Sequence, residues 1–206
     1  MQHNMTDDTS AATSPVETHP LPPFLPTQAR ILLLGSFPPP RKRWSMEFFY
    51  PNYTNDMWRI FGLLFFNDKD HFVDVEHKRF CRDAIEAFLQ ERGIAVSDTV
   101  AVARRLNGNA SDLTLEVVEP LDLARMLDLL PRCHTLVTTG QKATDTLCAI
   151  TGATPPPIGQ YATLTYHGRS LRLYRMPSTS RAYPKPLAEK AAVYRTIFQD
   201  LEIQTY

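Results

Sequence analysis

The residues best suited to chemistry fall in three short segments. The first runs from Gly35 to Asp56. It carries three successive prolines (Pro38, Pro39, Pro40), three cations (Arg41, Lys42, Arg43), then five aromatics before Thr54 and the pair Asn55-Asp56. The second, Ser97-Asp98-Thr99, offers hydroxyls and one carboxylate. The third, Pro177 to Tyr183, sets three hydroxyls (Ser178, Thr179, Ser180) and Arg181 beside a proline-fixed turn. That combination suits the gripping of a phosphate. Aromatic faces interleaved with cations suit a stacked base and its phosphates. The chain has no P-loop, dinucleotide glycine fingerprint, G-x-S-x-G elbow or HExxH. Triphosphatase, dehydrogenase, esterase and metalloprotease readings weaken accordingly.

These segments need elements to hold them. Ile31-Leu32-Leu33-Leu34 is a short apolar run closed by Gly35-Ser36, which predicts a buried strand and turn. Thr54-Asn55-Asp56 then caps a helix from Asp56 to about Phe66, with Trp58 on its buried face. Lys78 to Arg92 has helical spacing and ends at Gly93; Ile94-Ala95-Val96 is a short buried strand that delivers Ser97-Asp98-Thr99 to its carboxyl end. Val100 to Arg105 continues as a helix or an extended arm, and Asn107 to Asp112 is a loop. A helix over Leu121 to Leu130 stops at Pro131. A strand over Thr135 to Thr139 turns at Gly140 into a helix from Gln141 to Thr151. Ala162 to Tyr166 and Ser170 to Arg175 flank His167-Gly168 as a hairpin-like pair or two edge strands, and a last helix spans about Leu187 to Leu201. Alternation of this kind predicts an α/β sandwich whose sheet is mostly parallel, and ligands gather past the carboxyl ends of such strands.

The 206 residues suit one domain over 27–206, preceded by a Thr/Ser/Asp/Pro-rich tail over 1–26 that is either disordered or a strap lying on the domain. The chain has 43% apolar residues, no run near the ~20 that a membrane span needs, and no signal-peptide core. Zero formal net charge confines any polyanion site to a local patch. Cys81, Cys133 and Cys148 are far apart and odd in number, which fits a reducing cytoplasm and small buried hydrophobes rather than zinc or a cluster. His71, His77, His134 and His167 have no repeated ligand spacing, so no metal is expected.

Gly35-Ser36-Phe37-Pro38, followed by Phe49-Tyr50-Pro51 and Asn55-Asp56-Met57-Trp58, resembles the first motif of the uracil-DNA glycosylase superfamily. Its hypoxanthine-DNA glycosylase branch, with a G-S-M-P turn and a downstream Y-Y…N-x-F-W, is the nearest match. Met176-Pro177-Ser178-Thr179-Ser180 resembles that branch's P-S-T-S segment. Gly93 to Asp98 resembles the strand whose end reads the base, and Thr139 to Ala143 a later strand–Gly–helix junction. Each motif alone is weak; their order and spacing make the set specific. Together they span about Ile31 to Ile197.

The resemblance implies a three-layer α/β/α sandwich with a mostly parallel central sheet. It implies no metal and action on DNA in base-excision repair; the chain is read as a cytoplasmic monomer that needs no cofactor. The reaction implied is hydrolysis of the N-glycosidic bond of a deaminated base (uracil, hypoxanthine or xanthine) after base flipping. Gly35, Ser36 and Phe37 would line the base pocket, with Phe37 or Tyr50 stacked on the base. Asn55 would hold the attacking water, and Asp56 would supply the anion or base, unless Asp56 is an ordinary first-turn acid at a helix. Ser97 and Asp98 would read the base, unless Asp98 is a structural cap. Ser178, Thr179 and Ser180 would bond a phosphate and Arg181 or Tyr183 would enter the stack, unless these hydroxyls close a local turn. Arg41, Lys42 and Arg43 are phosphate contacts or a solvated run.

Two positions depart from the wider superfamily. Phe37 stands where the uracil enzymes have an aspartate, and Met176 where their second motif opens with histidine. The alternative reading is therefore a non-catalytic module that binds DNA or a nucleotide on the same fold. A hydrolase of free nucleosides fits less well, because such a substrate has no phosphate for the cations and hydroxyls to grip.

Overall fold

A computed structural model describes residues 14–106 and 114–206, so the loop expected at Asn107 to Asp112 and residues 1–13 lie outside the described residues. In chain order the elements are β1 (Val16–Thr18), β2 (Ile31–Gly35), α1 (Met57–Phe66), β3 (Val73–Asp74), β4 (Arg79–Phe80) and α2 (Arg82–Arg92). Then follow β5 (Ile94–Asp98), β6 (Val100–Arg105), β7 (Leu115–Pro120), α3 (Leu123–Asp128), β8 (Thr135–Thr139) and α4 (Gln141–Thr151). β9 (Gln160–Tyr166), β10 (Arg169–Met176) and α5 (Leu187–Asp200) complete the chain.

The central sheet has the order β5-β2-β8-β10-β9. β2 pairs in parallel with β5 and β8, β8 in parallel with β10, and β9 closes one edge antiparallel to β10. The strands β2, β5 and β8 are buried along their whole length, which is why β2 and the first three residues of β5 read as continuous apolar runs rather than alternations. Their period of two still sorts the side chains. Ile31, Leu33, Ile94, Val96 and Val137 pack under α1, α2 and α5, whereas Leu32, Leu34, Ala95 and Leu136 pack under α3 and α4. Helices on both faces make the three layers of an α/β/α sandwich with a mostly parallel sheet.

Local chemistry sets the element ends. α1 stops at Asn67, which takes the left-handed conformation (φ 53°), and α2 at Gly93 (φ 65°). Asp122 Oδ1 accepts the Arg125 N–H at 3.0 Å and starts α3. Trp58 is fully buried, its indole N–H donating to the Phe49 carbonyl at 3.0 Å.

Several boundaries differ from the sequence reading. The helix expected from Lys78 begins at Arg82, because β3 and β4 pair as a small hairpin with Lys78 at φ 49°. Val100 to Arg105 is a strand, sandwiched between β1 and β7 in a separate antiparallel sheet of order β1-β6-β7. Neither β1 nor β7 is legible in the sequence: β1 is three residues long, and the outer half of β7 is exposed. No helix among the described residues is long and apolar enough to cross a membrane.

Candidate active site

The strand order reverses between β2 and β8, and the carboxyl ends of β2, β5, β8 and β10 (Gly35, Asp98, Thr139 and Met176) lie along one side of the sheet. A crevice opens at such a switch point. Here it is a cleft of about 150 Å³ lined by Gly35–Pro39, Arg43, Tyr50–Asn52, Asn55, Asp98, Thr139 and Ser178–Ser180. It therefore gathers Gly35, Ser36, Phe37, Tyr50, Asn55 and Asp98 with the Ser178-Thr179-Ser180 hydroxyls. Asp56, Ser97, Arg41, Lys42, Arg181 and Tyr183 do not line it.

Gly35 is required by close approach. A Cβ there would sit 2.4 Å from Asp98 Oδ1 and 3.2 Å from the Tyr50 hydroxyl. Gly35→Ala is expected to push the carboxylate aside, costing about 1–3 kcal/mol of stability. Denaturant unfolding of the variant measures this, and unchanged stability would show the close approach to be unimportant. Tyr50 occupies the left-handed region (φ 52°), a strained choice for an aromatic residue. Its hydroxyl shares a 2.9 Å hydrogen bond with Thr139 Oγ1 across the cleft floor. Phe37 is 8% exposed, and the Arg105 guanidinium lies 5.4 Å from its ring centroid. Arg105 is itself fixed, Nη2 donating to the Pro38 carbonyl at 2.6 Å and Nε to Glu17 at 3.0 Å.

Asn55 and Asp56 take different roles. Asn55 Oδ1 accepts the Met57 N–H at 2.9 Å, which caps α1 and fixes the amide beside the cleft. Asp56 is 3% exposed and turned into the protein. Its Oδ2 accepts from Lys190 Nζ at 2.9 Å, and Lys190 is 0% exposed; Arg181 Nε stands 3.5 Å from Oδ1. The carboxylate is thus the buried partner of a lysine on α5, not a group facing the cleft.

That lysine also fastens the third segment. Lys190 Nζ donates to the Ser180 carbonyl at 2.9 Å, the Asp56 N–H donates to the Thr179 carbonyl at 2.9 Å, and the Tyr194 hydroxyl donates to the Pro177 carbonyl at 2.8 Å. Burial pushes the Tyr194 phenol well above its ordinary range, so it stays a donor. Ser178 Oγ accepts the Ser180 N–H and Ser180 Oγ the Ala182 N–H, each at 3.2 Å. Local turn bonds of this kind use the hydroxyl oxygens and leave their protons able to donate outward. Arg181 is 63% exposed at the end of this loop.

The basic run splits. Arg41, Lys42 and Arg43 form one exposed 3-10 turn. Arg41 is paired with Glu47 and lies 4.3 Å over the Trp44 ring, whereas Arg43 reaches the cleft. Ser97 lies on the other face of β5 from Asp98, as alternation requires, and its hydroxyl is 3.5 Å from the Asp98 carbonyl.

One residue at the site has no signal in the sequence. His19 follows β1, and its Nε2–H donates to Asp98 Oδ2 at 2.8 Å across 79 residues of chain. Its ring meets Phe37 edge-on (5.3 Å between centroids) and stacks on Phe49 (5.8 Å). The cysteines stand away from the cleft: Cys133 and Cys148 are buried, and burial pushes the Cys133 thiol up to about 11.

No protein-family model and no curated protein matches the chain. Among solved structures, the chain is similar to the solution NMR structure of a protein from Methanosarcina acetivorans described as a "putative Uracil DNA glycosylase". The two share 21% identity at a TM-score of 0.57, over 88% of this chain and 96% of that one. Likeness at that identity is likeness of fold: the same architecture runs through nearly the whole of both chains.

Proposed function

We propose that the protein is a monofunctional DNA glycosylase that hydrolyses the N-glycosidic bond of a deaminated base flipped out of DNA. The observation that carries this reading is the cleft itself. One small volume at the switch point is bounded by an aromatic wall (Phe37, Tyr50), a carboxylate (Asp98), a fixed amide (Asn55) and a hydroxyl loop (Ser178–Ser180). At about 150 Å³ it is smaller than the ~300 Å³ from which drug-sized pockets start, and suits a single planar base. The fold likeness and the resemblance of the motifs point the same way.

In this reading the base stacks on Phe37 or Tyr50 and Asp98 accepts an N–H from its edge. The Ser178 and Ser180 hydroxyls donate to the flanking phosphate. Asn55 holds the water: its Oδ1 keeps a lone pair beyond the one capping α1, and its Nδ2 carries two donors. Departure of a base from an oxocarbenium-like sugar needs charge stabilisation and a held nucleophile more than a strong base. Asp56 then acts by fixing the loop through Lys190 rather than by taking a proton. Arg43 adds a phosphate contact, and Arg181 leaves Asp56 to enter the gap in the stack.

A second reading draws on one observation. With Asp56 held by Lys190 and Phe37 in place of an aspartate, Asp98 is the only carboxylate lining the cleft among the described residues, which suits a module that binds lesions without cutting. Oligonucleotides carrying uracil, hypoxanthine or xanthine, single- and double-stranded, with alkali to reveal abasic sites, separate the two. Cleavage of one base above background supports the glycosylase; lesion binding with no abasic product supports the module. Asp98→Asn is expected to change the base ranking by about tenfold. DNA affinity should stay nearly constant, since phosphate contacts supply most of it. An unchanged ranking would remove Asp98 from base reading.

A further inference from the structure

We infer that His19 is a specificity-determining residue: it holds Asp98 so that a single carboxylate oxygen faces the cleft, and so selects bases with a ring N–H. The inference rests on the reading of the cleft as a base pocket, and concerns which base enters it.

His19 is 12% exposed on its side chain and Asp98 8%, so the 2.8 Å bond between them is shielded from water. The ring cannot swing away. It is packed between Phe37 and Phe49, and its Nδ1 lies 3.0 Å from the Leu21 carbonyl and 3.2 Å from the Leu21 N–H. The segment that carries it is pinned on both sides. β1 pairs with β6 through Val16 to Thr18, and Phe24 exchanges two backbone bonds of 2.9 Å with Val96. Asp98 Oδ2 is therefore committed to His19. Oδ1 is the oxygen that approaches Gly35, which lines the cleft together with Asp98 and Tyr50.

One fixed acceptor reads one donor. Lactam bases such as uracil, hypoxanthine and xanthine present a ring N–H, which a carboxylate oxygen accepts. Cytosine and adenine present a bare ring nitrogen at the same edge, and two acceptors facing each other repel. Without His19 the carboxylate is free to rotate and to accept from exocyclic amines instead, so discrimination falls while stacking on the aromatic wall remains.

The test is direct titration of the full chain with free hypoxanthine, uracil, adenine and cytosine, followed by tyrosine and tryptophan fluorescence. In His19→Ala the preference for hypoxanthine over adenine, and for uracil over cytosine, should fall by about tenfold. His19→Gln, which keeps a donor, should recover part of it. Arg104→Ala, which releases the Ser14 carbonyl of the same segment without touching Asp98 or Phe37, should leave it unchanged. An equal weakening of all four bases in the His19 variants, an Arg104→Ala shift as large as that of His19→Ala, or no nucleobase binding by the wild type would each overturn the inference. The cleavage assay is scored separately. A shifted ranking with no cleavage would leave His19 in its role and remove the glycosylase.

Discussion

Replacing Lys190 with methionine is expected to lower the unfolding free energy by about 3–5 kcal/mol, the largest effect of any single change at this site. Methionine fills nearly the same space, so the loss is one of charge rather than volume. With the ammonium gone, the Asp56 carboxylate stays at 5% side-chain exposure, with only the exposed Arg181 guanidinium at 3.5 Å to answer it. The Ser180 carbonyl loses its donor in the same step. The pair itself need not stabilise the fold. Removing both charges in Lys190→Met with Asp56→Asn should recover much of the loss, because the penalty lies in one buried charge left alone. Urea unfolding of the two single variants and the double variant measures this directly. A Lys190→Met loss below about 1 kcal/mol would show that the ion pair does not fasten the two loops.

Asn55→Ala is expected to slow base excision by about 10²–10³-fold while the protein stays folded. Stability should fall by only about 0.5–2 kcal/mol, the worth of the cap that Oδ1 gives Met57. The two quantities separate the roles of one amide: single-turnover cleavage reads its action on the water, and thermal unfolding its action on α1. Full cleavage by the variant would take Asn55 out of the reaction. A large loss of stability would mean that the cap, not the chemistry, explains the residue. If the proposed phosphate contacts of Arg43, Ser178 and Ser180 hold, binding to lesion DNA should change little, since the substitution alters none of them.

Much of this architecture is legible along the chain because it is written in local periods. The run Ile31 to Leu34 gives an inner strand of the sheet, the bounds of α4 follow from Gly140 and Gly152, and the His167-Gly168 turn gives the hairpin of β9 and β10. The same local logic places Asn55 at a helix start and Asp98 at a strand end, which is enough to bring both to the cleft. What the chain hides is pairing at a distance. Asp56 looks like any first-turn acid until α5 folds back and sets Lys190 against it, 134 residues later. Ser97 and Asp98 are neighbours in sequence, yet the pleat sends them to opposite faces. His19 sits among prolines in a segment whose composition suits a tail, and only the strand pairing of β1 with β6 explains why it is held at the cleft. The short strands β1, β3 and β4 share this fate. They exist because a neighbour completes them, and two or three residues carry no period of their own.

The strap over residues 14–26 does something for the sheet as well as for the cleft. β5 is an outer strand, and an outer strand with unmet backbone groups invites a strand from another molecule. Phe24 meets Val96 at the middle of β5 with both of its backbone groups. On either side of Phe24 stand Pro22, Pro23 and Pro26, which have no N–H to offer a further strand. The cover therefore ends the ladder instead of extending it: a polyproline-flanked seal on the side where self-association by edge pairing would otherwise begin.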